Sequence, residues 1–233
     1  MKSRTPSFVI ELGLKTGEDQ ESALETYFSD ARQLFNAVLG TAKKRVRAMK
    51  STEAWKLTAA MPKGKDRNKR FKEIQKSACL SEYALHDVVK EHRAKGGFTK
   101  RIGINEAQII ATRVWQGIER RLLHQGGQPR FKSAKRGLHS VEGKSNKTGL
   151  LWKAKTWTLE GLDLVIKAEA RLSATDPSGF KRVKYCRLVW RMIRGRIRYF
   201  VQLIVEGVPP VKHVYAPKDL KVAVDPGPGK KLA

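Results

Sequence analysis

Asp225 has the setting most typical of metal-dependent chemistry in this sequence. The short apolar run at 221–224 predicts a strand, and Pro-Gly-Pro-Gly at 226–229 predicts a turn directly after the aspartate. A carboxylate at a strand end is a suitable metal ligand, but phosphodiester hydrolysis on two metal ions needs several carboxylates from different elements. The alternative is an ordinary exposed aspartate, and the residues around Asp225 leave both interpretations open.

Phosphate binding is the chemistry indicated by a basic stretch between Arg130 and Lys155. It holds eight Lys or Arg and a single acidic residue, Glu142, with aromatic residues interleaved. Cations for phosphates beside aromatic faces for bases are typical of a nucleic-acid groove, and the alternative for the aromatic residues is anchoring in the core. The predicted contacts are Arg130, Phe131, Lys132, Lys135, Arg136, Lys144, Asn146, Lys147 and Trp152.

A second basic segment, KRVKYCRLVWRMIRGRIRYF, predicts a β-hairpin that turns at Arg194-Gly195. No acidic residue occurs between Asp176 and Glu206, so the arginines would form a charged ribbon on one face and at the turn. Such a ribbon is suited to following a nucleic-acid backbone. The predicted contacts are Arg187, Arg191, Arg194, Arg196 and Arg198.

Apolar residues at spacings of three or four from Leu24 to Met49 predict a long amphipathic helix, with Asp19 or Ser22 as its N-cap. Basic residues in its C-terminal half suit the negative end of the helix dipole and begin a basic surface. The alternative is a solvated helix face. The predicted nucleic-acid contacts on this helix are Lys43, Lys44 and Arg47.

The overall charge favours a polyanionic partner. The chain has 233 residues, with 48 Lys and Arg against 22 Asp and Glu, which gives a formal net charge of +26. At 40% hydrophobic residues it is able to bury a sizeable core. No apolar run is long enough to span a bilayer, and the N-terminus lacks the pattern of a signal peptide. We therefore expect a cytoplasmic protein with no membrane partner.

The two cysteines and the histidines predict neither a disulfide framework nor a zinc site. Cys79 and Cys186 are far apart in sequence, and neither belongs to a CxxC motif. Both are expected to be small core residues. The histidines lack a second ligand at metal-binding spacing, so structural or surface roles are expected for them.

The pattern of elements predicts an α+β fold. A first strand at 8–12, helices at 24–49, 80–92 and 105–124, and hairpins at 150–159 with 162–170 and 183–193 with 197–205 follow in that order. The segment MPKGKDRNKRFK is predicted to be a linker because Pro and Gly interrupt it. Because the first strand needs a sheet to join, the helices are expected to be an insertion between it and the later strands.

Four segments, in order, resemble the TnpB family of transposon-encoded RNA-guided nucleases and the related compact type V CRISPR effectors. ARQLFNAVLGTAKKR resembles the family's "yN.ll..akkr" helix, and GGQPRFKS resembles its "G.PrFKs" segment. GRIRYFVQLIVEG is similar to the strand before the nuclease domain, and VAVDPGPG is similar to the "vGiDlG" opening of the RuvC fold. Pro226 departs from the apolar residue that the family commonly has there.

The resemblance implies a division of the chain. Residues 1–17 and 126–215 would form the wedge domain, an oligonucleotide-binding-type β-barrel, and residues 18–125 an inserted helical recognition lobe. Residues 220–233 would begin a truncated RuvC (RNase H-like) domain. In the family, the aspartate at the place of Asp225 binds catalytic metal together with later carboxylates. The implied cofactor of a complete nuclease is Mg²⁺; this chain alone is expected to hold no cofactor and to be inactive in cleavage.

The resemblance implies three partners: a guide RNA, a target DNA duplex and the RNA–DNA heteroduplex. In RNA-guided systems the protein holds the heteroduplex by its shape and backbone, while base pairing reads the target. Two alternatives remain open from the sequence. One is a nuclease-deficient RNA-guided repressor that acts by occupying DNA, and the other is a basic RNA-binding protein of ribosomal type, for which the charge alone would suffice.

Overall fold

Helices separate the first strand from the remaining strands in residues 6–169 and 180–208, which the computed structural model describes. The helices are α1 (Glu18–Ser51), α2 (Glu53–Ala60), α3 (Lys65–Ser77), α4 (Glu82–Lys95) and α5 (Ile104–Leu122), with a 3-10 turn (Phe98–Lys100) before α5. The strands are β1 (Ser7–Lys15), β2 (Ser140–Glu142), β3 (Leu151–Lys153), β4 (Thr158–Gly161), β5 (Leu164–Ala168), β6 (Phe180–Ile193) and β7 (Arg196–Gly207).

The strands form one antiparallel sheet in the order β2-β6-β7-β1-β5-β4-β3. The first strand lies at its centre, pairing with β7 from Ser7↔Glu206 to Gly13↔Phe200 and with β5 at its C-terminal end. The sheet curls so that its far edge approaches β6, where the Cys186 thiol donates to the carbonyl oxygen of Leu150 at 3.2 Å. The predicted α+β class is confirmed, and the finer assignment to a wedge barrel stays a prediction.

Helix α1 carries an apolar stripe that is buried along most of its length, including Leu24, Leu34 and Leu39. The stripe packs against α4, α5 and the concave side of the sheet as one core. The predicted N-caps are wrong, because the helix begins earlier. Gly17 is the N-cap, and the side-chain oxygen of Gln20 accepts a hydrogen bond from its backbone N–H at 3.1 Å.

The predicted linker after α1 is also helical for most of its length. Helix α3 begins after Gly64, and the rings of Trp55 and Phe71 pack with centroids 4.6 Å apart, joining α2 to α3. No residue of α3 is buried. Good helix formers such as Lys and Arg between the flanking interruptions, together with this aromatic contact, favour the helix outside the main core.

The hairpin predictions are confirmed at one site and corrected at the other. The turn between β6 and β7 lies at Arg194 and Gly195, both with positive φ, as a tight primed turn requires. The segment 150–159, predicted as one strand, is instead the two strands β3 and β4, with Trp157 in the turn at φ +55°. The next turn uses Leu162 and Asp163 rather than Glu160 and Gly161.

Glu106 joins the helices to the sheet. It lies in the first turn of α5 with a side chain that is 1% exposed, and its Oε1 accepts a hydrogen bond from the backbone N–H of Leu150 at 3.0 Å. A Cβ on Gly149 would lie 1.9 Å from Glu106 Oε1, and one on Gly103 would lie 2.1 Å from Oε2. The carboxylate therefore occupies space that two glycines leave open.

Cys186 is buried as expected, whereas Cys79 is exposed, contrary to the sequence prediction. Cys79 follows α3 with φ +51°, and its carbonyl oxygen accepts a hydrogen bond from Arg45, which fixes its backbone at the surface. Burial, and next the charge of Glu106, raise the pKa of the Cys186 thiol to about 12.

The two cysteines are therefore expected to react differently with a thiol reagent. At pH 8 the exposed Cys79 should react, because it is accessible to the reagent, while Cys186 should not, since it is buried and its thiolate is almost absent well below pH 12. Titration with a chromogenic disulfide should give one equivalent in the native protein and two in denaturant. Two rapid equivalents without denaturant would contradict the burial of Cys186.

Candidate nucleic-acid interface

The side chain of Asn36 joins α1 to the loop between α5 and β2 through two hydrogen bonds. Its Nδ2 donates to the carbonyl oxygen of Lys132 at 2.9 Å, and its Oδ1 accepts from the backbone N–H of Lys132 at 2.8 Å. The amide thus forms the paired hydrogen bonds that a neighbouring strand would form. Because α1 is fixed in the core, this contact fixes the position of residues next to Lys132.

Phe131 lies on the surface of α1 rather than in the core. Its side chain is 54% exposed, near Gly40, and the Lys43 ammonium is 4.6 Å from the ring centroid. The Lys132 ammonium lies 5.8 Å from the ring of Phe35. The Lys43 ammonium is therefore positioned over an exposed aromatic face, which is the combination that binds phosphates and bases together, whereas the ring of Phe35 belongs to the buried core.

A cationic groove runs between α1 and α5 beside this loop. It has a volume of about 240 Å³ and an apolar floor that includes Val46, Ile118 and Pro129. We call it the α1–α5 groove, and its cations are Lys43, Arg47, Lys50 and Arg121. Since none of the described residues that line the groove is acidic, a polyanion is the ligand class that fits its charge.

The structure brings most of the predicted loop and helix cations to this region. Lys44 is exposed on α1 next to the groove, and Arg130, Lys135 and Arg136 are exposed on the docked loop. Lys135 lines a second cleft on the other side of the loop. We use the term cationic surface for the α1–α5 groove together with Lys44, Arg130, Phe131, Lys132, Lys135 and Arg136.

Replacing Asn36 by alanine should detach the docked loop without disturbing the core. Both hydrogen bonds to Lys132 would be lost, at a cost of about 1–3 kcal/mol in the free energy of unfolding. RNA affinity should fall as well, because Arg130 and Lys132 would no longer be held beside the groove. Chemical denaturation and filter binding measure the two effects.

Asn36→Asp is the matched control, because it keeps the acceptor for the Lys132 N–H and loses the donor. It should be less stable than the wild type, because its second carboxylate oxygen would face the Lys132 carbonyl oxygen with no proton between them. Unchanged stability and affinity in Asn36→Ala would show that the loop is held by other contacts.

Three of the predicted nucleic-acid contacts around β2 and β3 make contacts within the protein instead. Trp152 is 5% exposed and packs edge-on against Trp157 at 5.9 Å between centroids, so the core anchor interpretation is correct and stacking on a base is not available to it. The Asn146 side chain bonds to the backbone N–H and C=O of Trp152 and shapes the loop. Lys144 donates to Gln108 at 3.0 Å, and Lys147 is exposed.

Two arginines of the predicted charged ribbon are neutralised by carboxylates from other strands. Arg187 binds Glu142, which also binds Arg113 of α5. Arg191 forms a bidentate pair with Glu11 at 2.5 and 2.7 Å. Burial raises the pKa of Glu11, but the hydrogen bonds from Arg191 and Gln202 outweigh it, so the pKa lies below its ordinary value.

The tip of the hairpin retains free positive charge. Arg198 lies 3.6 Å from Glu169, whereas Arg194 and Arg196 are exposed and form no ion pair with another residue in the described ranges. The predicted ribbon of five arginines is therefore reduced to two at the turn. A count of the charged residues within this segment did not predict these ion pairs. Glu11 and Glu142 are distant from the arginines in sequence and become their neighbours only through strand pairing.

Asp225, the predicted metal ligand, lies outside the described residues. Within residues 6–169 and 180–208, no group of three or more His, Cys, Asp or Glu is arranged to hold a metal ion. Sequence reasoning also missed Arg121 as a groove residue. Its signal was present, since Arg121 lies in the last turn of an amphipathic helix, where a basic side chain reaches beyond the helix end.

No protein-family model and no curated protein matches the chain. In the part of the chain that the structure describes, no helix is both long and apolar enough to cross a membrane.

Proposed function

We propose that this protein binds a structured RNA through the cationic surface. The observation that carries the proposal is the docking of Lys132 on Asn36, which places basic residues from a distant loop beside those of α1 and α5. A net charge of +26 exceeds what solubility requires of a chain of this size. Counterion release from phosphates gives such a surface a large, salt-dependent affinity.

One stripe of α1 sets the length of the interface. Its members follow each other at spacings of three or four and are Arg32, Asn36, Gly40, Lys43, Arg47 and Lys50. From Arg32 to Lys50 the helix rises about 27 Å at about 1.5 Å per residue. At about 3.4 Å per phosphate along one strand, this corresponds to about eight phosphates.

The finer proposal is that the RNA is the guide of an RNA-guided nuclease of the TnpB or compact type V kind. Its support is the resemblance of the α1 segment and of GGQPRFKS to that family, together with the direct contact between these two segments through Asn36 and Lys132. A target DNA duplex, the RNA–DNA heteroduplex and an Mg²⁺-binding role for Asp225 in a complete nuclease belong to the same proposal. The wedge and recognition-lobe assignments also stay part of it.

The test is to sequence the RNA that copurifies with the chain and to measure its affinity against salt. One enriched, structured species is expected, with affinity falling by roughly 10³ to 10⁵ between 50 and 200 mM salt if about six to ten phosphates are bound. A mixed RNA population with no enriched species would contradict the guide assignment and favour a ribosomal-type or nonspecific protein. A weak dependence on salt would contradict RNA binding by the cationic surface.

A further inference from the structure

A second cleft lies on the opposite side of the docked loop from the α1–α5 groove. It is formed by α1, residues 134–138 and the hairpin of β6 and β7, and its volume is about 310 Å³. Its apolar wall includes Trp190, Met192, Ile197 and Tyr199. Met192 is 60% exposed there, beside the half-buried indole of Trp190. We call this cleft the aromatic cleft.

Trp190 is held in one orientation in the aromatic cleft. Its Nε1 donates to the carbonyl oxygen of Leu138 at 2.9 Å, and the ring of Phe28 packs edge-on at 6.5 Å between centroids. Gly137, at φ +65°, lies so close that a Cβ would be 2.9 Å from the indole. The His139 ring packs against the indole at 4.5 Å between centroids. Because the ring is fixed, it loses little conformational entropy when a ligand packs against its remaining free surface, which is therefore preorganised for a flat apolar group.

The polar groups of the cleft fit a nucleotide better than an apolar peptide. Arg32 is half-buried and forms no ion pair or hydrogen bond with another described residue, and Lys135 stands exposed beside it. Glu25 offers an acceptor for base N–H groups. Tyr199 also lines the cleft, and burial, and next the charges of Glu25 and Glu21, raise the pKa of its hydroxyl to about 12.

The aromatic cleft also shares residues with the α1 stripe and with the docked loop. Arg32 is the first member of the α1 stripe that ends in the α1–α5 groove, and Lys135 belongs to the docked loop. A strand that leaves the α1–α5 groove and crosses the docked loop would therefore reach the mouth of the cleft. We propose that the aromatic cleft receives one unstacked nucleobase of the bound RNA, with its phosphate between Arg32 and Lys135; this inference rests on the proposed function.

The test compares two probes of equal charge, a ten-nucleotide oligoadenylate and a chain of ten abasic ribose phosphates. Stacking of one base should make the oligoadenylate bind about ten- to a hundredfold tighter. Met192→Glu should reduce this difference, because it puts a carboxylate into the cleft while stacking on Phe131 stays available. Ile193→Glu is the matched control, since it adds the same charge at the next position of β6, which is 42% exposed and does not line the cleft.

The inference is supported if the oligoadenylate binds Met192→Glu at least tenfold more weakly than Ile193→Glu, while the abasic chain binds both variants equally. Equal affinity of the wild type for the two probes, or equal losses in the two variants, would overturn it and leave RNA binding by the cationic surface intact. If Met192→Glu instead abolished self-association of the chain, the cleft would be a protein interface. Failure of both probes to bind the wild type would overturn the inference, and the proposed function would be contradicted only if the copurified structured RNA also failed to bind.

Discussion

Removing the four cations of the α1–α5 groove is expected to lower RNA affinity about a thousandfold at about 0.1 M salt. Each phosphate contact contributes about 0.7 to 0.9 to the slope of log affinity against log salt. Four lost contacts therefore reduce this slope by about three. Between 1 M and 0.1 M salt, one decade, the RNA affinity of the variant then falls behind that of the wild type by about three factors of ten. The substitutions, made together, are Lys43→Ala, Arg47→Ala, Lys50→Ala and Arg121→Ala.

The matched control removes the same net charge from four dispersed positions. These lysines are exposed, lie on different parts of the structure and line neither cleft. The control substitutions are Lys90→Ala, Lys100→Ala, Lys155→Ala and Lys167→Ala. Fluorescence anisotropy at several salt concentrations should show a small parallel shift for the control and a shallower slope for the groove variant. Equal slopes in the two variants would mean that net charge, rather than the groove, determines binding.

The sequence predicted the elements with strong periodicity better than it predicted their partners. The apolar stripe of α1 and the turn at Arg194-Gly195 are determined by local pattern, and both were predicted correctly apart from the helix start. Arg187 and Arg191 were misjudged because the carboxylates that neutralise them come from β2 and β1. A local count of charges does not include pairs that form only when distant strands become neighbours.

For the candidate site too, the sequence predicted features that depend on neighbouring residues and did not predict contacts between distant segments. The cations of α1 and of the loop were identified from composition, but the residue that joins them, Asn36, is polar and has no local charge signal. Phe131 and Trp152 had the same sequence signal, an aromatic residue among cations. The fold separated them, since β3 carries Trp152 into the core, whereas the docked loop leaves Phe131 at the surface.

Gly149→Ala is expected to be among the most destabilising single substitutions, at about 3 to 4 kcal/mol in the free energy of unfolding. Gly149 has φ +77°, where a side chain costs about 1 to 2 kcal/mol. The new Cβ would also lie 1.9 Å from Glu106 Oε1. A flexible carboxylate at the surface would move aside, but this one is enclosed, and moving it breaks the bond to the Leu150 N–H in the interior.

Gly195→Ala is the control for the backbone cost alone. Gly195 has φ +76°, and a Cβ there would meet nothing within 4 Å. Replacing glycine by alanine also lowers the conformational entropy of the unfolded chain, which adds to stability. This contribution is the same for both substitutions, so it cancels in the comparison. With about 2 to 4 °C per kcal/mol for a chain of this size, Gly149→Ala should lower the melting temperature by about 10 °C and Gly195→Ala by about 5 °C.

A double-mutant cycle tests whether Glu106 causes the difference in cost between Gly149→Ala and Gly195→Ala. In a Glu106→Ala background the new methyl group meets no carboxylate, so Gly149→Ala should cost no more than Gly195→Ala does in the wild type. Urea denaturation of the four cycle members, read by tryptophan fluorescence, measures the coupling. If Gly149→Ala cost the same with and without the carboxylate, Glu106 would be free to leave its position between Gly103 and Gly149, and the joint between α5 and the sheet would not depend on it.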